Sequence, residues 1–209
     1  SAIGDIDGLL AEYMAEIAVV DPNALDADDA LAHWINVYNA GALGLAARAD
    51  REGSDSVLRI PGAFSSPIVT VADEPLSLDG IEHGKIRRFG DPRIHGALVC
   101  GSVSCPTLRA EPFVGAALDA QLDDQLRAFL SGGGAVLDDD HLTLSRVFQW
   151  YGSDFVRPHR MPTVVPAPRR ATAAAITPWL PESTAERVAT GVVTVGFAPY
   201  DWGLRCSVA

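Results

Sequence analysis

"IHGALVCGSVSCPTLR", Ile94 to Arg109, is the stretch on which the reading of this chain turns. Its short apolar run predicts a strand over Ile94–Cys100. The run feeds a glycine–serine loop that carries two cysteines, the second followed at once by Pro106. A strand there needs partners, and the flanking sequence supplies only short ones. Upstream, Ile68–Val71 is a strand candidate in a segment broken by Pro61, Gly62, Pro67 and Pro75. Downstream, "AVLDDDHLTLS" reads as a hairpin around an aspartate turn, and "GVVTVGFAPYDWGLR" as a final strand with an aromatic tail.

Helices dominate between these strands. Ile6, Leu9, Leu10, Tyr13, Met14 and Ile17 follow the helical repeat, and a second helix starts near Asp26 or Asp28 with Leu31, Ile35, Ala42 and Leu45 as its apolar stripe. Ser77 caps a predicted helix "LSLDGIEHGKIRRFG". Val114, Leu118, Leu122, Leu126, Phe129 and Leu130 mark another, and Ser145 caps "RVFQWYGSDF". A proline-rich connector lies near 157–168. This order predicts a single α+β domain, with several amphipathic helices around a small, mostly antiparallel sheet.

The 209 residues carry a net charge of −11, with a pI near 4.7. That balance argues against a nucleic-acid groove and a polybasic membrane surface. No apolar run approaches the ~20 residues that span a bilayer, so no membrane insertion is expected. The start shows no basic region followed by an apolar core. A signal trimmed upstream stays open, and with it the compartment; oligomeric state is open too.

Three cysteines, Cys100, Cys105 and Cys206, make a poor disulfide framework. Cys100 could pair with Cys105 or with Cys206. A metal or redox site would combine Cys100, Cys105 and His83 or His95. The five-residue cysteine step exceeds the usual spacing of zinc knuckles, so no metal and no other cofactor is expected.

A thiolate is a strong nucleophile, favoured at a helix N-terminus or beside an imidazolium. Pro106 suits the first position of a helical turn, which would put Cys105 at its positive end. Cys105 therefore ranks above Cys100, which closes an apolar run. Loop amides with Ser102 and Ser104 are candidate oxyanion donors. On a strand, His95 would lie ~16 Å from Cys100 and face the other way. His83, on the preceding helix, is the better candidate base, with His95 in reserve. Glu82, about 100° around the helix from His83, reads as a second carboxylate. Asn36 and Asn39 share a face beside Trp34 and Tyr38. Such amides can orient an imidazole, bind a peptide-like substrate or tie helix to loop.

Taken together, "WINVYN", "LSLDGIEHGKIR", "FGDPRIHGALVCGSVSCPTLR", "LSRVFQWYGSDF" and "YDWGL" resemble the family called domain of unknown function 547. The departures are mild: Thr107 stands where that pattern usually has a second proline, and His33 near a usual bulky apolar residue. The resemblance implies one α+β domain, often in exported bacterial proteins, and brings no agreed activity. It groups Trp34, Asn36, Tyr38, Asn39, Glu82, His83, Arg93, His95, Cys100, Ser104, Cys105, Arg109 and Asp201 as signature positions.

The leading expectation is a thiol-dependent hydrolase or acyl transferase. Cys105 would be its nucleophile, His83 or His95 its base, and Asn36 or Glu82 its orienting group. Trp34, Tyr38, Asn39, Ser104 and Arg109 would line the cleft. The alternatives are a non-catalytic module for a peptide or small molecule, and the Cys/His metal or redox site.

Overall fold

Helix α1, Ala2–Ala18, packs along α2, Ala27–Arg51, because both carry a helical apolar stripe. The computed structural model describes residues 2–160 and 165–205. Asp26 caps α2, its side chain accepting from the Asp29 amide at 2.9 Å. Leu31, Ile35, Val37 and Leu45 are buried along α2. A Cβ at Gly44 would stand 3.3 Å from Leu10 Cδ2, so the missing side chain lets the two helices close up.

The chain is α+β and divides into two compact units. The first comprises residues 1–86, 98–118 and 201–209. It holds α1, α2, the hairpin β1 (Val69–Val71) and β2 (Glu74–Leu76), and α3 (Leu78–Gly84). The turn between these strands puts Ala72 and Asp73 at φ 47° and 64°, a two-residue hairpin turn. Without the usual Asn-Gly signal, and with Pro75 in it, β2 is not legible as a strand. Ser77 caps α3 as expected, accepting from the Gly80 amide at 3.0 Å. The helix ends at Gly84, though, and a separate 3-10 turn covers Ile86–Phe89, so the single helix expected over this stretch is broken.

The second unit comprises 87–97 and 119–200. It holds α4 (Ile94–Ala97), α5 (Leu118–Phe129) apart from its first residue, and β3 (Ala135–Asp138) with β4 (His141–Leu144). After α6 (Val147–Val156) come α7 (Arg169–Ile176), α8 (Glu182–Ala189) and β5 (Thr194–Phe197). Strands β3 and β4 pair antiparallel as the predicted hairpin, while β5 joins β4 in parallel. The core here gathers Leu126, Leu130, Leu142, Leu144, Phe148, Phe155 and Ile176. Both flanks of the proline-rich connector belong to this unit.

The strand expected over Ile94–Cys100 does not form. Asp91 Oδ1 accepts from the Arg93 amide at 2.9 Å, and Pro92 follows Asp91, so "DPR" opens a short helix. The His95 and Gly96 amides then donate to the Pro92 and Arg93 carbonyls. Gly96 is required for packing: a Cβ there would lie 2.9 Å from the backbone of Leu126. Beyond α4, Leu98 and Val99 are buried but join no sheet ladder. The Val99 amide donates to Asn39 Oδ1 at 3.0 Å, and the Cys100 amide to Cys105 Sγ at 2.9 Å. Side chains take the place of a neighbouring strand, which is how a buried apolar run can be irregular.

Candidate functional site

The cysteine loop belongs to the first unit, held on α2 by two asparagines one turn apart. Asn36 clasps the Phe113 backbone with both ends of its amide, donating to the carbonyl at 2.8 Å and accepting from the amide at 2.9 Å. Asn39 holds the Val99 amide. The pair therefore pins both ends of 99–113, and Asn36 acts as a positioning residue for that segment.

Inside the loop, Gly101 takes φ +74°, and a Cβ there would meet Ala46 Cβ at 2.9 Å. Glycine is needed for both the conformation and the approach to α2. The C-terminal segment closes the other side. The Val103 amide donates to Gly203 O at 2.8 Å, the Ser104 amide to Asp201 O at 3.2 Å, and the Asp201 amide to Ser104 Oγ at 2.9 Å. The Cys105 amide turns back to Ser102 O at 3.2 Å. The amides of Val103, Ser104 and Cys105, expected as oxyanion donors, are thus spent on holding the loop. The Ser104 hydroxyl keeps its own hydrogen.

Cys100 and Cys105 stand as thiols, not as a disulfide. Cys105 Sγ accepts from the Cys100 amide and lies 3.8 Å from Leu98 O, while Cys100 Sγ lies 2.9 Å from Ser102 Oγ. An amide N–H aimed at sulfur is a fixed partial positive charge, a neighbour that stabilises a thiolate. The expected pairing of Cys100 with Cys206 lies outside the described residues.

On α3, Glu82 and His83 face different ways, as adjacent helical positions must. The His83 side chain is 48% exposed and that of Glu82 10%. Glu82 Oε1 is buried without a hydrogen bond, 3.8 Å from His83 Nδ1. Trp34 and Tyr38 are buried. Lys85 Nζ sits 5.3 Å above the Trp34 ring and 3.0 Å from Glu74. Arg109 Nε lies 3.2 Å from Glu111 Oε2.

His95 has its own setting, in the second unit. With α4 a helix, the 16 Å strand argument that set it behind His83 no longer applies. Its Nε2 lies 2.9 Å from Asp154 Oδ2, and its ring stacks on Tyr151 at 4.0 Å. Arg87 grips the same carboxylate with two bonds, at 2.8 and 2.9 Å, and lies 5.2 Å from the Tyr151 ring. Burial opposes ionisation of Asp154, but the bonds from His95 and Arg87 outweigh it and hold its carboxyl down at about 2. Tyr151 and Asp154 were not expected as partners of His95. Their spacing on one face of α6 was the available signal. Arg93, a signature position of the resemblance, is bound by Asp91, Asp119 and Asp123 in this unit.

Among the described residues, no group of three or more His, Cys, Asp and Glu comes together to hold a metal ion. No described helix is long and apolar enough to cross a membrane.

Comparison with protein families matches residues 22–130 to the family described as Protein of unknown function, DUF547, and the chain belongs to that family. No curated protein and no solved structure matches.

Proposed function

We propose that this member of the DUF547 family is a thiol-dependent hydrolase or acyl transferase with Cys105 as its nucleophile. The observation that carries the reading is the Cys100 amide, 2.9 Å from Cys105 Sγ in a loop clasped by Asn36 and Asn39. A nucleophile gains most from a charge-stabilising donor when the donor cannot move away. In this reading His83 takes the thiol proton and the sulfur attacks an acyl carbon. The leaving group departs with that proton, and water or an amine then resolves the thioester. Glu82, buried beside His83, is the carboxylate that would steady the imidazolium.

Alkylation of the native protein with iodoacetamide, with each cysteine located by peptide mass spectrometry, tests this. Rapid labelling of Cys105 near pH ~6, slowed in His83→Ala, is the expected result. Labelling only above pH ~8, or only after unfolding, overturns it.

A second reading, a non-catalytic binding module, draws support from how many polar groups of the loop serve the fold. Asn36, Asn39 and the amides of residues 103–105 are all occupied in this way.

A further inference from the structure

The cysteine loop lays one sulfur against the backbone of the other cysteine. The Cys105 amide donates to Ser102 O at 3.2 Å, a tight turn that brings residue 105 back alongside 98–100. Cys105 Sγ then accepts from the Cys100 amide at 2.9 Å and lies 3.8 Å from Leu98 O. An N–Cα bond of about 1.46 Å leads on from that amide, so the Cys100 Cα lies within roughly 4.4 Å of Cys105 Sγ. Only two bonds separate Cys105 Sγ from its own Cα. The two Cα atoms therefore stand within roughly 7 Å of each other, a span that a disulfide bridges.

Both cysteines are partly exposed thiols. Cys100 Sγ lies 2.9 Å from Ser102 Oγ, but a thiol is a weak donor and a weak acceptor, and such contacts yield to a covalent bond. A step between staggered χ1 wells moves the Cys100 sulfur without moving its backbone. That backbone is well held. Asn39 fixes the Val99 amide just before Cys100, and Gly101 at φ +74° packs on Ala46 just after it.

We propose that Cys100 and Cys105 form an oxidation site for hydrogen peroxide, in which Cys105 reacts and Cys100 resolves the product to a disulfide. It rests on the reading of Cys105 as the nucleophilic sulfur and adds regulation of that same site, because the disulfide consumes the sulfur that attacks an acyl carbon. In the first step the Cys105 thiolate attacks one peroxide oxygen and the O–O bond breaks. The other oxygen leaves as hydroxide, takes a proton and becomes water, and the sulfur is now a sulfenic acid. In the second step the Cys100 sulfur attacks the Cys105 sulfur and the S–O bond breaks. Hydroxide leaves with the Cys100 proton as a second water. The two thiols give up two electrons together, and one peroxide is reduced to two waters. A disulfide between partly exposed cysteines belongs to the readily reduced class, so the change is reversible.

Trypsin cuts after Arg93 and Arg109, so both cysteines fall in one peptide, Ile94 to Arg109, without Cys206. The whole chain, treated with equimolar hydrogen peroxide and then iodoacetamide, should yield this peptide unalkylated and two hydrogens lighter. Dithiothreitol should restore both thiols. In Cys100→Ser, oxidation should stop at a Cys105 sulfenic acid that dimedone traps, while Cys105→Ser should slow peroxide consumption about tenfold or more. A Cys105 sulfenic acid that persists beside an intact Cys100 thiol in the unsubstituted chain overturns the switch and leaves the nucleophile standing. A disulfide to Cys206, or two thiols unchanged by peroxide, overturns the switch as well. Iodoacetamide labelling of Cys105 without peroxide reports on the nucleophile separately. If either variant fails to fold, the peptide readout on the unsubstituted chain decides.

Discussion

The two units solve the same problem with different chemistry. In the first, an irregular buried segment is held by neutral amides: Asn36 on Phe113 and Asn39 on Val99. In the second, a short helix is tied to α6 by charge, with Asp154 shared between Arg87 and His95 over the Tyr151 ring. A neutral clasp satisfies backbone groups at any pH. A cluster built on a shared buried carboxylate holds only while that carboxylate is ionised.

The sharpest way to break this contrast is Asp154→Ala. Arg87 and His95, with side chains 8% and 2% exposed, would keep their burial and lose the carboxylate they share. The expected cost is about 3–5 kcal/mol in urea denaturation. A cost under about 1 kcal/mol would mean that water replaces the carboxylate and that the triad is not what ties α4 down.

Acid titration sharpens the same point. Asp154 has a folded value of about 2 against an ordinary 3.8. Its folded value is depressed, so its contribution is fully present above 3.8 and is lost as pH falls through about 2. The loss should amount to about 2 kcal/mol, read as a falling urea midpoint across that window. Asp154→Asn should flatten this part of the profile.

Asn39→Ala tests the neutral side. It leaves the buried Val99 amide without its acceptor and should cost about 2 kcal/mol, by the same amount at neutral and acid pH. A cost that changed with pH would tie the clasp to a titrating group and collapse the distinction. The smallest effect belongs to Lys85→Met. Its ammonium pairs with the exposed Glu74 and lies over the Trp34 ring, and its loss should cost less than about 1 kcal/mol. A larger value would make this cation a real fastening of α3 on α2.

Much of the fold was legible because it follows short-range periodicity. The helices α1, α2 and α5, the Asp26 and Ser77 caps and the β3–β4 hairpin are patterns within a few residues of one another, although Leu9, read into the stripe of α1, is exposed, and Val114, read into that of α5, lies exposed ahead of the helix. The misreading of Ile94–Cys100 has a definite cause. An apolar run of this length reports burial, and burial alone does not distinguish a strand from a four-residue helix followed by coil. The Asp-Pro step at 91–92 was the signal for the helix. The site divides along the same line. Cys105, Glu82 and His83 could be singled out as candidates from their chemistry and spacing, but the occupied amides of Val103 and Ser104 could not, since their acceptors at Gly203 and Asp201 lie about a hundred positions away.

Sequence alone determined the α+β character, the acidic and helix-rich composition, the family resemblance and the cysteine loop as a place of interest. Only the tertiary structure decided what each polar group does. Asn39 meets Val99 across 60 positions, and His95 meets Asp154 across 59. Periodicity records which face of an element is buried. It does not record which distant backbone or carboxylate waits on that face, because that partner is selected by packing once the elements have come together.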